Sequence, residues 1–229
     1  MTTQTIGKSA LDRARHKAYL RLLSILLCCY VIAYIDRVNV SLAKLTLSKD
    51  LPAFNNDVIG TGAGIFFLGY FLLEIPGSLI VEKWSARKWI SRIMITWGIV
   101  AAMTAWAITP HRFYLVRFLL GLMEAGFFPG AVIYLTHWFT RRDRARALSW
   151  FLLGSSVAQI LSPKISNYFL GLGTLAHPGP LGLAGWQWLY IAWGIPAVVI
   201  GFVVLWQLPD YPHQAKWLSE EEKLAMEGA

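Results

Sequence analysis

The chain has 229 residues, of which 56% are hydrophobic and only 15% charged, where an average soluble protein has roughly 25% charged. That balance excludes disorder, collagen-like repeats and disulfide-stapled scaffolds and points to a membrane protein; 11 Trp, 9 Tyr and 12 Phe suit aromatic anchoring at a bilayer surface. The net charge of +8 invites a nucleic-acid partner, which the distribution of the charges argues against.

A hydrocarbon layer about 30 Å thick takes about 20 residues of helix. Six segments reach that length: 20–42, 58–81, 89–108, 113–139, 147–170 and 186–208. The expected fold is an all-α membrane protein with a cytoplasmic segment over 1–18, a six-helix transmembrane bundle over 19–208 and a cytoplasmic tail over 209–229. The basic N-terminal stretch does not read as a cleavable signal, because no small-residue cleavage site follows it and five further spans do. Pro76, Pro129, Pro163 and Pro196 are expected to interrupt spans two, four, five and six. Gly60 with Gly64, and Gly126 with Gly130, are expected to make close helix contacts. Cys28 and Cys29 are adjacent in a helix, so they point apart and read as apolar fillers. In the tail, Ser219 and Glu222 have the spacing of a capping box.

Lys and Arg concentrate in cytoplasmic loops. With the N-terminus inside, 15 of the 21 basic residues fall on the cytoplasmic side; Lys44, Lys49 and Arg112 fall outside, and Arg37, Arg117 and Lys164 lie within spans. Both termini are therefore expected inside, and topology accounts for the positive charge without nucleic acid.

Apart from Arg21 and Arg92, which lie at the cytoplasmic ends and are counted on that side, six charged residues sit within the expected spans: Asp36, Arg37, Glu74, Arg117, Glu124 and Lys164. Such groups are costly in lipid and by default mark a site or pathway. Three acids against three bases allow pairing. At a rise of about 1.5 Å per residue, Asp36, Arg37, Arg117 and Lys164 fall at one level, and Glu124 lies about 10 Å below Arg117 on the same face. Glu74 lies lower still, one turn after Tyr70. Tyr34 precedes Arg37 by one turn, and Asn39 follows Asp36 by one turn.

Clustered guanidinium groups in a dehydrated cavity suit a carboxylate, which Arg grips through its planar fork. A carboxyl among Met123, Ala125, Gly126, Phe127 and Phe128 is favoured in its neutral form by burial, so Glu124 is a candidate proton carrier, with Asp36 a second. Static ion pairing between helices is the competing reading, strongest for Glu74 and for Lys164, which can snorkel outward. Enzyme signatures are absent: there is no H-E-x-x-H, no G-x-S-x-G, no phosphate loop and no His pair at metal spacing, so neither a metal nor a cofactor is expected.

Four stretches make the chain resemble the major facilitator superfamily, and within it the anion:cation symporter family. They are Tyr34 to Asn39; Gly69 to Pro76, running on to Glu82, Arg87 and Lys88; Arg117 to Gly130; and Asp143 to Ala147. The resemblance implies proton- or sodium-coupled movement of small organic acids, such as sugar acids, tartrate or aromatic carboxylates, by alternating access in the cell inner membrane. It implies that Asp36 and Glu124 couple protons, that Arg37 and Arg117 bind substrate and control those carboxyls, and that Tyr34 and Tyr70 line the cavity. Asn39 and Lys164 join the expected substrate site, Lys164 toward a second acidic or polar group. Glu82, Arg87 and Lys88 belong to the loop that contacts the other half as the protein changes conformation.

Ser78 and Ser85 stand where the superfamily usually has glycine. Members have two six-span halves that rock about a midplane site, and this chain spans one. The expectation is therefore the N-terminal half of a symporter that pairs with a second six-helix half or a second copy of itself, the alternative being a truncated half with a binding or regulatory role.

Overall fold

A computed structural model describes residues 2–228, with side-chain surroundings from residue 10 onward except at Glu82. The regular elements among the described residues are all helices, without strands. Helix α1 (Thr2–Ala18) runs through one wide π turn (Tyr19–Leu23) into α2 (Ser24–Asp50). Then follow α3 (Asn56–Lys83), α4 (Ala86–Met103), α5 (Pro110–Glu124), α6 (Phe127–Trp138), α7 (Arg141–Leu170), α8 (Gly185–Gln207) and the short α9 (Glu220–Glu227). Polar side chains fix most of the starts. Asn55 accepts from the Val58 N–H at 2.9 Å and Ser85 from the Lys88 N–H at 3.1 Å. Thr109, before Pro110, and Thr140 cap α5 and α7 in the same way. The expected capping box is present: Ser219 Oγ accepts from the Glu222 N–H, and the Glu222 carboxylate accepts from the Ser219 N–H.

Among the described residues, five helices are long and apolar enough to cross a membrane: Ala10–Asp50, Asn56–Val81, Ala86–Trp106, Pro110–Trp138 and Gly185–Gln207. The sixth expected span, α7, has 30 residues, but Ser155, Ser156, Gln159, Ser162, Lys164, Ser166 and Asn167 dilute its hydropathy. It packs along α2, with Gly154 against Tyr30 and Leu27, and completes the six-span bundle. The first span runs on to Asp50 rather than ending at 42.

The proline expectation needs correcting. Pro76, Pro163 and Pro196 lie inside continuous helices. The break in the fourth span falls instead at Ala125–Gly126, where Gly126 has φ 81°, a conformation that side chains rarely adopt. Pro129 follows in the first turn of α6, where a missing N–H leaves no helix hydrogen bond unmade.

The glycine expectation changes as well. A Cβ on Gly60 or Gly64 would meet nothing within 4 Å. Gly126 and Gly130 do pack closely, both against the Trp89 side chain, and the closest backbone approaches lie at other glycines. A Cβ on Gly121 would run into the Phe66 carbonyl and one on Gly69 into the Phe118 carbonyl, so α3 and α5 touch backbone to backbone. Gly98 and Gly194 face each other across α4 and α8 in the same manner.

Two apolar clusters stack along the bundle. One, near the end that carries both termini, gathers Leu22, Leu26, Ile90, Met94, Trp97, Phe127 and Phe151. The other, at the far end, gathers Val40, Phe54, Phe113, Trp186 and Tyr190. Along α2 and α5 the handover from one to the other falls at Asp36, Arg37 and Arg117, so a polar layer sits between two dry ones.

Candidate functional site: a buried charge layer under a basic groove

Helices α2, α3, α4 and α5 bring the layer together. Arg37 donates from Nε to Glu124 Oε1 at 2.7 Å, and its Nη2 lies 2.6 Å from the same oxygen. Glu124 is fully buried, and its other oxygen has no hydrogen-bond partner. The break after α5 sets this geometry: Glu124 is the last residue of α5, and the left-handed turn at Gly126 redirects the chain under it. A side chain at Gly126 would crowd the Trp89 indole, whose Nε1 donates to the Gly126 carbonyl at 3.4 Å.

Asp36 is buried beside this pair. Its Oδ2 accepts from the Trp97 indole N–H at 3.2 Å, and its Oδ1 has no partner. Arg117, 3% exposed, has no carboxylate within salt-bridge distance among the described residues, and its Nε has no hydrogen-bond partner. Its guanidinium lies 4.7 Å from the centre of the Phe66 ring, an attraction that strengthens where water is excluded. Arg37 lies 5.4 Å from the centre of the Tyr70 ring, which floors the pair from α3.

The remaining expected residues divide. Tyr34 and Asn39 turn toward α7: the Tyr34 hydroxyl accepts from Gln159 Nε2 at 3.4 Å, and Asn39 Oδ1 accepts from Ser166 Oγ at 3.3 Å. Lys164 is exposed on α7 and does not join Arg37 and Arg117. Its level along the span was read from helix rise, which fixes height but not the face presented. Arg87 is held within the chain: its N–H donates to Asp210 Oδ1 at 2.9 Å, and its Nε lies 3.8 Å from Oδ2. Lys88 is exposed, its backbone N–H capped by Ser85. The Glu82 side chain lies outside the described residues.

Arg37 and Arg117 line the base of an open groove of ≈550 Å³ between α2 and α3, with Ser41, Lys44, Asn56 and Phe66 along its walls. Two contributors escaped the sequence reading. Lys44 had been placed in a loop, although it falls seven residues after Arg37 on the same helix face. Trp97 stood among apolar residues with nothing to mark its N–H as a partner for Asp36. Among the described residues, no three His, Cys, Asp or Glu side chains gather as a metal site. The layer holds two guanidinium groups and two carboxyls. One cation lacks an acid, and each acid keeps one oxygen bare. Such a layer can accept an anion at the arginines and a proton at the carboxyls.

The sequence profile of the Major Facilitator Superfamily matches residues 26–227. A "Putative tartrate transporter" of Agrobacterium vitis is 46% identical over 211 residues, covering 92% of this chain and 47% of that protein. The "Inner membrane transport protein RhmT" of Escherichia coli is 38% identical over 219 residues, covering 95% of this chain and 49% of that protein. The chain thus spans about half the length of these curated relatives, which are transporters and not enzymes. Among solved structures, the partially occluded, inward-open xylose transporter XylE from E. coli superposes with a TM-score of 0.73 at 13% identity, covering 93% of this chain and 54% of that one. At that identity the likeness concerns the fold.

Proposed function

The chain belongs to the Major Facilitator Superfamily, and from that premise we propose that it forms one half of a proton-coupled carrier of small organic carboxylates. The observation that carries the proposal is the pairing of Arg37 with fully buried Glu124 beside an Arg117 that has no acidic partner among the described residues. An anionic substrate binds at the two guanidiniums, where bidentate contact with a carboxylate is strongest. A proton on Glu124 cancels the charge that holds Arg37 and frees its fork for the substrate. Asp36, anchored by Trp97, is the second proton site. Tyr70 supports Arg37 from below. Tyr34 sits on the α7 side, where it completes the cavity when the second half closes over it, while Asn39, fully buried, braces α2 against α7 through Ser166. The name of the tartrate relative agrees with a hydroxy acid as cargo.

In this reading the chain lies in a bacterial inner membrane with both termini in the cytoplasm, an orientation that the 15 basic residues on that side support. The second half of the cavity comes from six further helices or a second copy of the chain, against which Arg87, Lys88 and Glu82 move. Uptake of labelled tartrate into proteoliposomes under an inward proton gradient tests the proposal. Accumulation is expected when a second six-helix half is co-reconstituted, and Arg117→Ala abolishes it. No gradient-dependent uptake of tartrate or any other organic acid, with or without that half, contradicts the proposal.

A further inference from the structure

The groove above the charge layer contains a third cation that the proposed coupling does not use. Lys44 stands two turns beyond Arg37 on α2, about 10 Å along the axis, and lines the same ≈550 Å³ space as Arg37 and Arg117. Its ammonium enters no ion pair among the described residues. Opposite it, α3 offers Asn56 and then Gly60, where an added Cβ would meet nothing within 4 Å, so the wall facing Lys44 is open. The groove therefore has a graded lining: two guanidiniums at its base, the Ser41 hydroxyl on the way out, and an ammonium with an amide at its mouth.

A monoacid satisfies only the base of such a groove. A second carboxylate, directed outward, meets a compact, strongly hydrated charge on a flexible stem that can follow ligands of different length. We propose that Lys44 receives the second carboxylate of a diacid, so that this half selects dicarboxylates over monocarboxylates. The inference rests on the organic-acid reading above and names the substrate class of that same site. It also transfers to Lys44 the role that sequence alone had suggested for Lys164.

The test is direct binding to the full chain in lipid nanodiscs, by calorimetry, with tartrate as the diacid and glycerate as the monoacid. The wild type is expected to bind tartrate more tightly. Lys44→Ala should weaken tartrate about tenfold, the scale of one charge-assisted contact, while glycerate changes less than about twofold; unchanged glycerate binding also shows that the variant has folded. Lys44→Arg should keep the preference for tartrate. Equal losses for both acids, or an unaltered tartrate affinity, overturn the role of Lys44 and leave the carboxylate reading standing. A wild type that binds neither acid overturns the carboxylate reading and this inference with it.

Discussion

The molecule treats its carboxylates in two ways. At the end that carries both termini, three are tied down by donors from other elements or caps. Glu222 accepts from Lys17 Nζ on both oxygens, at 2.8 and 2.7 Å, and from its own cap N–H. Asp210 accepts from Ser85 Oγ at 2.7 Å and from the Arg87 N–H at 2.9 Å. Asp143 is held by Thr140 and Arg15. Between the two apolar clusters, Asp36 and Glu124 are as deeply buried as any of these, yet each keeps one oxygen without a partner. A buried polar atom left unsatisfied costs on the order of 1–3 kcal/mol, so a fold that leaves two in the layer that holds Arg37 and Arg117 maintains them at a cost. The tied-down set clasps α1 and α4 to the tail, and α7 to α1. The unsaturated set is ready to exchange partners.

The contrast can be broken hardest at Arg37. Arg37→Ala leaves Glu124 buried without its partner and should lower stability by about 3–5 kcal/mol, read as thermal unfolding in detergent. Adding Glu124→Gln should recover part of that loss, because no charge is then stranded. Next comes the backbone contact that supports the groove. Gly121→Leu forces α5 away from the Phe66 carbonyl and should destabilise by at least about 1–3 kcal/mol. Gly60→Leu, facing open space, should leave the unfolding temperature unchanged.

Trp97→Phe is smaller. It removes the donor to Asp36 Oδ2 while keeping the ring, at about 1–3 kcal/mol, and it should shift the pH dependence of acid binding, which a packing defect alone does not. Smallest is the clasp. The Lys17 hydrogen bond holds the Glu222 carboxyl below its ordinary value of 4.5. The contribution of Glu222 is therefore complete at neutral pH and disappears as pH falls through its lowered folded value. The distance between spin labels on α1 and α9 should increase only in that acidic range, and Glu222→Gln should abolish the step.

Five of the six expected spans were legible because hydrocarbon thickness sets a length and an apolarity that they meet, the sixth, α7, by its length alone, and the capping box because its two hydrogen bonds need a fixed spacing. What sequence could not supply was direction. In a membrane chain both the lipid-facing and core-facing sides are apolar, so periodicity does not tell which way Lys164 turns, and depth alone placed it with the arginines. Lys44 was lost to a span boundary drawn too early: the helix continues past 42 on residues polar enough to resemble a loop. The break in the fourth span was assigned to Pro129 because proline is the commoner cause, whereas the backbone turns at Gly126. Arg37, Asp36, Arg117 and Glu124 were found because charge in an apolar run is rare enough to be conspicuous.

The affinity of the chain in nanodiscs for tartrate, measured from about pH 8 down to 5.5, where the carboxyls of the acid itself remain largely ionised, tests the central claim most directly. Affinity should rise as pH falls in the wild type, because protonating Glu124 releases Arg37, and Glu124→Gln should bind tightly at every pH. A wild type indifferent to pH, or a Glu124→Gln variant that no longer binds, would contradict the exchange between proton and acid at this pair.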